Sequence, residues 1–445
     1  EFTKCKELVH SLKKIKYKFD DEEKEQVQKY VDLVDKGKDF DPRLYLLLNN
    51  DLKQRLKTYE EAFHHFATNK DSSEREYKHE KTYEEIMEIK SSQHVNPDSS
   101  IVLINHESTR TGAPMYLQDF ANWLDEQGVE GILFMDCIPN SIYKLNSNIE
   151  VAYHFNDHDT LLSILDSCNP DIIYGNSLCP IVENFHLYEK YLSKTIMHFH
   201  ECTQDIVSYL IDKQYDLYVL LSKLKNTFFV ADKIKQETLQ AVSDVGDIRS
   251  IEKKSYIVPE FINQERVQKI NENQKRSTNK RPLIGMCGVK SDRKNYRLFT
   301  SVAQRNKDFD FVWIGAEFEH DVENLKCIPQ TDNPYKLFAT LDYFFLTSTR
   351  DPCPIVVLEN MLLNNKIILL ENNIKYTHDL DKLENVYYIE DHYNDAQAIS
   401  NWIKENKLNT KPNKTNKNKD YILHNFTSPR VVGDKNLMEL LCFTT

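Results

Sequence analysis

Two carboxylates eight residues apart, Asp351 and Glu359, form the clearest chemical pattern in the sequence. The aromatic and β-branched run 342–347 predicts a buried strand just before Asp351. Apolar side chains then recur at helical spacing, at Ile355, Leu358, Met361, Leu362 and Leu363. Asp351 is therefore expected in a turn, with Glu359 about two turns into the helix, at ~3.6 residues per turn.

The start of this helix suits an anion. Pro354 fits a first helical position, and the backbone N–H groups around Pro354 and Ile355 have no partner within the helix. Since a carboxylate repels a phosphate, we expect Asp351 to meet hydroxyl groups and Glu359 to accept hydrogen bonds from a second diol. A ligand with hydroxyls at both ends and phosphates between them is a nucleotide sugar. On spacing alone a simpler interpretation is favoured, in which Asp351 caps the helix and Glu359 is solvated.

Two further segments place polar groups after predicted strands. The loop 106–114 contains Gly112, which lets a ligand approach the backbone, and Pro114, which begins a helix. No Gly-x-Gly-x-x-Gly motif occurs, which disfavours a dinucleotide-dependent dehydrogenase. His200 comes directly after the strand Thr195–Phe199, at the edge where such folds bind ligands. A plain turn and a buried structural histidine are the alternatives.

Three cations follow the first strand of the second predicted domain, and they are Lys290, Arg293 and Lys294. Positive charges here can neutralise a leaving diphosphate without a metal ion. The alternative is a solvated basic turn. The adjacent histidines His64 and His65 point to different faces of a helix, so we expect no metal site there.

Alternating strand and helix patterns organise most of the chain. They favour two successive doubly wound α/β domains with a cleft between them. The predicted strands are 101–104, 132–135, 171–174, 195–199, 217–221, 256–258, 283–287, 311–314, 343–347, 366–370 and 386–389. Residues 263–281 are expected to form a connection or polar helix, and 407–419 a loop.

Composition limits the classes of function. A net charge of −12 disfavours a general nucleic-acid binder. No apolar run approaches the ~18–20 residues of a membrane span. Nine cysteines without a Cys-x-x-Cys pair indicate reduced thiols and a cytoplasmic protein. The sequence does not begin with Met, which leaves open that the native chain begins further upstream.

The segment Ser348–Glu359 resembles the signature of retaining glycosyltransferases of family 4, in the form Ser-x-x-Asp-Pro-x-Pro-x-Val-x-Leu-Glu. The loop 106–114 is similar to that family's His-Glu-x-x-x-x-Gly-Ala-Pro loop, and His200 to its strand-end His-Glu. Lys294 matches the family's lysine, whereas Val289 stands at the usual arginine position, which Arg293 is expected to replace. At a further strand end, Glu260 and Phe261 replace the family's Asn-Gly, and we assign them no chemistry.

The resemblance implies a GT-B fold with four parts. These are a helical N-terminal module (1–95), an acceptor-side Rossmann-like domain (98–262), a donor-side Rossmann-like domain (280–420) and a C-terminal helix that crosses back (421–445). The segment 40–66 resembles a helical module found beside bacterial polysaccharide glycosyltransferases.

The implied activity is transfer of a sugar, with retention, from a UDP-sugar or GDP-sugar to a glycan, polysaccharide or glycoprotein acceptor. No other cofactor, metal or nucleic acid is expected, and peripheral membrane association and oligomeric state stay open. His200 and Asp351 are the implied catalytic residues. Gly112, Lys290, Arg293, Lys294, Pro354, Ile355 and Glu359 are the implied substrate-binding residues. The alternatives are a non-catalytic scaffold that binds carbohydrate or nucleotide, a sugar-nucleotide epimerase and a phosphorylase.

Overall fold

The structure is a computed structural model. It describes residues 40–49, 52, 55–56, 58–68, 79–109, 111–139, 142–272, 281–331, 333–363, 365–370, 383, 385–389, 395–406, 408, 417–433 and 435–442. The chain divides into two compact units. One comprises residues 1–94 with 138–140 and 155–157, and the other comprises the rest.

The described part of the first unit is helical. Its helices are α1 (Pro42–Leu48), α2 (Tyr59–Thr68) and α3 (Tyr83–Ser92). Asp41 caps α1 by accepting a hydrogen bond from the backbone N–H of Arg43 at 2.8 Å. Tyr45 and Phe66 belong to a small apolar cluster, and the hydroxyl of Tyr45 bonds His65 Nδ1 at 3.0 Å. The resemblance of this segment to a known module stays a prediction, and the side chain of His64 lies outside the described residues.

The second unit contains two parallel sheets, and we call each sheet with its helices a lobe. The first lobe has the strand order β3-β2-β1-β4-β5-β6-β7. Its strands are β1 (Ile101–Ile104), β2 (Ile132–Asp136), β3 (Glu150–Tyr153), β4 (Ile172–Asn176), β5 (Thr195–Phe199), β6 (Asn226–Phe229) and β7 (Ser255–Ile257).

The second lobe has the strand order β10-β9-β8-β11-β12-β13. Its strands are β8 (Leu283–Cys287), β9 (Asp310–Gly315), β10 (Leu325–Pro329), β11 (Tyr343–Leu346), β12 (Lys366–Leu370) and β13 (Val386–Ile389). The order reverses between β1 and β4 and again between β8 and β11, and ligands bind such folds beyond the carboxyl ends of strands at that point.

The helices of the first lobe cover both faces of its sheet. They are α4 (Gly112–Glu126), α5 (His158–Cys168), α6 (Pro180–Glu183), α7 (Glu189–Leu192), α8 (Thr203–Ser208), α9 (Lys213–Lys223), α10 (Asp232–Ser243) and α11 (Arg249–Glu252), with a 3₁₀ turn at Phe185–Tyr188. The helices that follow are α12 (Gln264–Glu272), α13 (Tyr296–Arg305), α14 (Tyr335–Phe338), α15 (Ile355–Leu362), α16 (Ala396–Glu405), α17 (Lys417–Asn425) and α18 (Leu437–Leu440).

The predicted fold class, two doubly wound α/β sheets, is confirmed. One predicted strand is wrong, because 217–221 lies inside helix α9. There Leu217, Leu220 and Leu221 are all buried, and their spacing is that of one helical face. Three strands were not predicted. Edge strands β3 and β10 are partly exposed and contain Glu150 and Lys326, and β6 begins with two polar residues.

The segment after the first lobe is helical in part, which agrees with the predicted polar helix. Helix α12 occupies the first half of the predicted connection 263–281, and residues 273–280 lie outside the described residues, as does most of the predicted loop 407–419. Near the C-terminus, Phe426 packs in the second lobe's core, whereas Leu437 and Leu441 pack in the core of the first lobe. The backbone N–H of Val432 bonds Ile257 O at 2.8 Å. The chain end thus contacts both lobes.

We expect Gly315→Ala to destabilise the second lobe. Gly315 ends β9 with φ +110°, and an added Cβ would lie 2.9 Å from Gly288 O, which already accepts a hydrogen bond from Trp313 Nε1. Strain and overlap together should lower the free energy of unfolding by about 3 kcal/mol. Gly433→Ala is the matched control, because φ is +111° there but nothing lies within 4 Å of the added atom. It should cost about 1 kcal/mol. Equal losses in urea denaturation would contradict this account.

Candidate active site

Two turns of the second lobe are joined through their backbones. One follows β8 and carries Arg293 and Lys294, and the other follows β11 and carries Thr349 and Asp351. Thr349 N–H donates to Arg293 O at 2.8 Å, and Thr347 Oγ1 donates to Lys294 O at 2.8 Å. Because β8 and β11 are neighbours at the switch point, their carboxyl ends bring cations and carboxylate together.

Asp351 forms a buried ion pair with Lys294. Lys294 Nζ lies 2.5 Å from Asp351 Oδ2, and Ser348 Oγ donates to the same oxygen at 3.0 Å. Burial on its own would raise the pKa of Asp351, but the charges of Lys294 and Arg293 outweigh it and lower that pKa below its ordinary value. The carboxylate is therefore ionised, and its cation is already in place.

Glu359 lies on α15, the helix that follows the turn of Asp351, in a second buried group of charges. Tyr335 OH donates to Glu359 Oε1 at 3.0 Å, and Arg266 Nη1 lies 4.0 Å from that oxygen. The other end of the guanidinium, Nη2, lies 3.0 Å from Asp119 Oδ2 on α4 of the first lobe. Burial raises the pKa of Glu359, and Arg266 only partly offsets that rise. One arginine thus connects carboxylates of both lobes.

His200 and Glu260 form the third buried pair. His200 Nδ1 lies 2.8 Å from Glu260 Oε1, and both side chains are almost fully buried. Gly112 faces them, because a Cβ added there would lie 3.7 Å from Glu260 Oε2. Burial raises the pKa of Glu260 to about 8, with the negative charge of Asp351 adding to the rise. Asp351 is thus close enough to act on Glu260, so the pair in the first lobe faces the turns of the second.

A further polar group lines the first lobe beside this pair. Ser177 Oγ donates to the Glu201 carboxylate, and His200 N–H donates to Glu201 Oε2 at 3.2 Å. His106 Nε2 lies 3.6 Å from Glu107 Oε1. Burial opposes protonation of His106, but the charges of Glu107 and Glu201 outweigh it and raise the pKa of that histidine. The loop after β1 therefore presents His106 and Glu107, and the end of β5 presents Glu201, close to His200.

The predicted site residues occupy these positions as follows. Gly112, His200, Lys294, Asp351 and Glu359 belong to the groups just described. Lys290 and Arg293 are exposed. Arg293 is near enough to act on the pKa values of Asp351 and Glu260, whereas Lys290 Nζ lies 5.3 Å from the centre of the Tyr296 ring.

The helix after the turn begins one residue later than expected. Pro354 is the N-cap of α15 instead of its first residue, and Ile355 is the first helical position. No side chain caps this end of the helix, and both residues are buried. The simpler interpretation, in which Asp351 caps the helix, does not hold, because its carboxylate bonds Lys294 and Ser348 instead.

Sequence reasoning missed four residues of these groups, Glu260, Arg266, Asp119 and Tyr335. Glu260 carried a signal, because it is a carboxylate where the resembling family has Asn-Gly. Arg266 lies in a segment that was predicted as a connection or polar helix, and no local pattern distinguishes it from other surface arginines. Among the described residues, no group of three or more His, Cys, Asp or Glu side chains has the arrangement of a metal site. None of the described helices has both the length and the apolarity needed to cross a bilayer.

No protein-family model matches the sequence, and no curated protein matches it. Solved structures do share its fold. HepE of Anabaena, in complex with UDP and glucose, is similar with a TM-score of 0.52 and 14% identity, over 74% of this chain and 96% of that one. Sucrose-phosphate synthase of Thermosynechococcus elongatus is similar with a TM-score of 0.56 and 12% identity, over 74% of this chain and 94% of that one. WaaG, a glycosyltransferase involved in lipopolysaccharide biosynthesis, is similar with a TM-score of 0.51 and 11% identity, over 73% of this chain and 94% of that one. At these identities the likeness establishes the fold, which is GT-B.

Proposed function

We propose that this GT-B chain is a retaining glycosyltransferase that moves a sugar from a UDP-sugar or GDP-sugar to a hydroxyl group of a glycan or glycoprotein, without a metal ion. The observation that carries the proposal is the buried Lys294–Asp351 pair at the joined turns of the second lobe, with Glu359 on the helix that follows. Together these groups supply a cation for a diphosphate and carboxylates for hydroxyl groups.

The roles follow from the chemistry of each group. Lys294, with Arg293 and the N-terminus of α15, stabilises the charge of the leaving diphosphate. Asp351 orients hydroxyl groups of the donor sugar, and Glu359 accepts hydrogen bonds from the ribose. His200 contacts the donor sugar close to its reacting carbon, and the backbone at Gly112 admits phosphate or acceptor.

We assign the retention of configuration at the anomeric carbon to a displacement in which the acceptor attacks the face of the sugar from which the diphosphate leaves. The bond between the anomeric carbon and the β-phosphate oxygen breaks with its electron pair on the phosphate. The acceptor oxygen then bonds the same face of that carbon, and its proton passes to the phosphate oxygen. Ionised Asp351 is held by Lys294, which disfavours it as a covalent nucleophile. Closure of the lobes excludes water and limits hydrolysis of the donor.

Similar structures agree with a uridine nucleotide. HepE of Anabaena is in complex with UDP and glucose, and WaaG is a glycosyltransferase. UDP-sugars are therefore the first donors to test, before GDP-sugars. A cytoplasmic location completes the proposal.

We expect UDP to stabilise the protein, whereas uridine alone, which lacks phosphates, should have little effect. At ~100 times its dissociation constant, UDP should raise the free energy of unfolding by about 2.7 kcal/mol. Thermal unfolding across nucleoside diphosphates and their sugars measures this. Glu359→Ala should remove most of the gain, and Glu323→Ala, an exposed acid of the same lobe, is the control.

Release of UDP from a UDP-sugar, with and without an acceptor glycan, tests the reaction itself. Stabilisation by UDP without any release from UDP-sugars or GDP-sugars would favour a non-catalytic scaffold. No stabilisation by any nucleoside diphosphate would overturn the proposal.

A further inference from the structure

The imidazole of His200 has one nitrogen engaged and one unpaired. Its Nδ1 contacts Glu260 Oε1 at 2.8 Å, whereas Nε2 is buried and has no hydrogen-bond partner among the described residues. Leaving a buried polar atom unpaired costs about 1–3 kcal/mol. Since Gly112 leaves space beside Glu260, the partner of this nitrogen, the unpaired Nε2 indicates a nitrogen that a ligand satisfies.

The surrounding rings fix the plane of this imidazole. The Tyr116 ring packs edge-on against His200 with 5.0 Å between centroids, and the His198 ring lies at 4.3 Å. His198 itself is fully engaged, because Nδ1 bonds Tyr174 OH at 2.7 Å and Nε2 contacts Val258 O at 2.9 Å. Of these two histidines, only His200 therefore has a nitrogen left for a ligand.

We propose that Glu260 is a positioning residue for His200: its carboxyl group occupies Nδ1, so that Nε2 carries a proton and presents an N–H donor to an oxygen of the bound substrate. The identity of the substrate as a nucleotide sugar rests on the proposed function. The protonation of the His200 imidazole does not depend on it. In the family that this sequence resembles, Asn-Gly usually stands where Glu260 and Phe261 stand here, and those residues provide no carboxyl group for Nδ1.

Proton accounting supports the donor at Nε2. With two protons on the pair, either Glu260 is a neutral acid that donates to Nδ1, or it is a carboxylate that accepts from the imidazolium. Nε2 carries a proton in both cases. When one proton leaves, Nδ1–H donates to the carboxylate and Nε2 becomes a bare acceptor. Loss of a single proton thus converts the donor into an acceptor.

Burial, reinforced by the charge of Asp351, keeps both protons on the pair at neutral pH. Burial and the negative charge of Asp351 raise the pKa of Glu260 to about 8, against the opposing effects of Arg266, Lys294 and Arg293. Burial and the neighbouring His106 lower the pKa of His200 to about 3. Other titratable groups face the pair from the remaining elements, namely His198, Tyr116 and Cys353. The donor form therefore exists below about pH 8 and is lost above it.

Nitrogen NMR of the full chain labelled with ¹⁵N-histidine tests the ring directly, without a substrate. The His200 signals are assigned by their absence in His200→Gln. At about pH 6, roughly two units below the titration, Nε2 should be protonated, and at about pH 10 it should be bare while Nδ1 is protonated. A bare Nε2 at about pH 6 would overturn the proposal whether or not the protein transfers sugars.

Kinetics of UDP release, where it occurs, provide the second test. Glu260→Gln keeps an N–H donor to Nδ1 at every pH, so its kcat should stay within about threefold of wild type at pH 6 and lose the alkaline fall, which is about tenfold per pH unit in wild type. Glu260→Ala should lower kcat about 10-fold without restoring activity at any pH.

Glu265→Gln is the matched control, because this exposed acid pairs with Lys269 and should leave the pH profile unchanged. A Glu260→Gln enzyme that retains the alkaline fall would overturn the proposal. If Glu260→Gln does not fold, the wild-type NMR titration decides alone.

Discussion

Replacing Lys294 by methionine should reduce sugar transfer about 10³-fold, the upper end of what removal of one positioned charge costs in an active site. Lys294 Nζ lies 2.5 Å from the buried Asp351 carboxylate, and on our proposal it is also the cation next to the leaving diphosphate. Methionine keeps the length of the side chain and removes its charge. Initial rates of UDP release from the preferred UDP-sugar measure the effect.

The same substitution should also destabilise the second lobe. Breaking a buried pair by removing one partner costs about 3–5 kcal/mol, because the other charge is left buried without compensation. Assays must therefore be run well below the unfolding midpoint of the variant. Lys326→Met, at an exposed position of edge strand β10, is the control and should change neither rate nor stability. A folded Lys294→Met enzyme within threefold of the wild-type rate would contradict the assigned role.

Arg266→Met should lower the free energy of unfolding by about 3–5 kcal/mol at neutral pH. Its guanidinium lies 3.0 Å from Asp119 and 4.0 Å from Glu359, and without it two carboxylates from different lobes face one another in a buried setting. Exposed Arg305→Met is the control and should cost little.

The loss of unfolding free energy in Arg266→Met should be larger at neutral pH than at acidic pH. Burial raises the pKa of Asp119 and of Glu359 even with Arg266 present. A raised carboxyl pKa contributes stability below the unfolded value, and that contribution is lost as pH rises through the folded value. Without the arginine both pKa values rise further, so the deficit should shrink towards acidic pH and grow towards neutral pH. Urea denaturation across pH measures it, and a deficit that grows on acidification would contradict this account.

Local features of the site were predictable, because strand, turn and helix each have a short-range pattern. The run before Asp351 is aromatic and apolar, and the spacing from Ile355 onward is helical, so β11, the turn and α15 follow from neighbouring residues alone. The edge strands were not predictable in this way, because Glu150 and Lys326 interrupt their apolar runs. The leucines 217–221 illustrate the opposite problem, since a short apolar run suits a buried strand and a buried helix face equally well.

Pairings between distant segments were beyond sequence reasoning. Glu260 and His200 are 60 residues apart, and Arg266 reaches Asp119 and Glu359 across two lobes. Each contact depends on how the sheets pack, which no spacing within one segment encodes. The resemblance helped with Lys294, whereas Glu260 appeared only as a departure from the family's residues.

The hydrogen bonds between the turn of Arg293 and the turn of Thr349 have a consequence for the motion of the molecule. Lys294 and Asp351 lie on two turns that these hydrogen bonds hold together. A rotation of the second lobe would therefore move both residues together and leave the distance between them unchanged. His200 and Gly112 would move with the first lobe, and their arrangement around Glu260 would also stay unchanged. On our proposal, rotation of one lobe relative to the other would therefore bring the two groups of side chains together without rearranging either group.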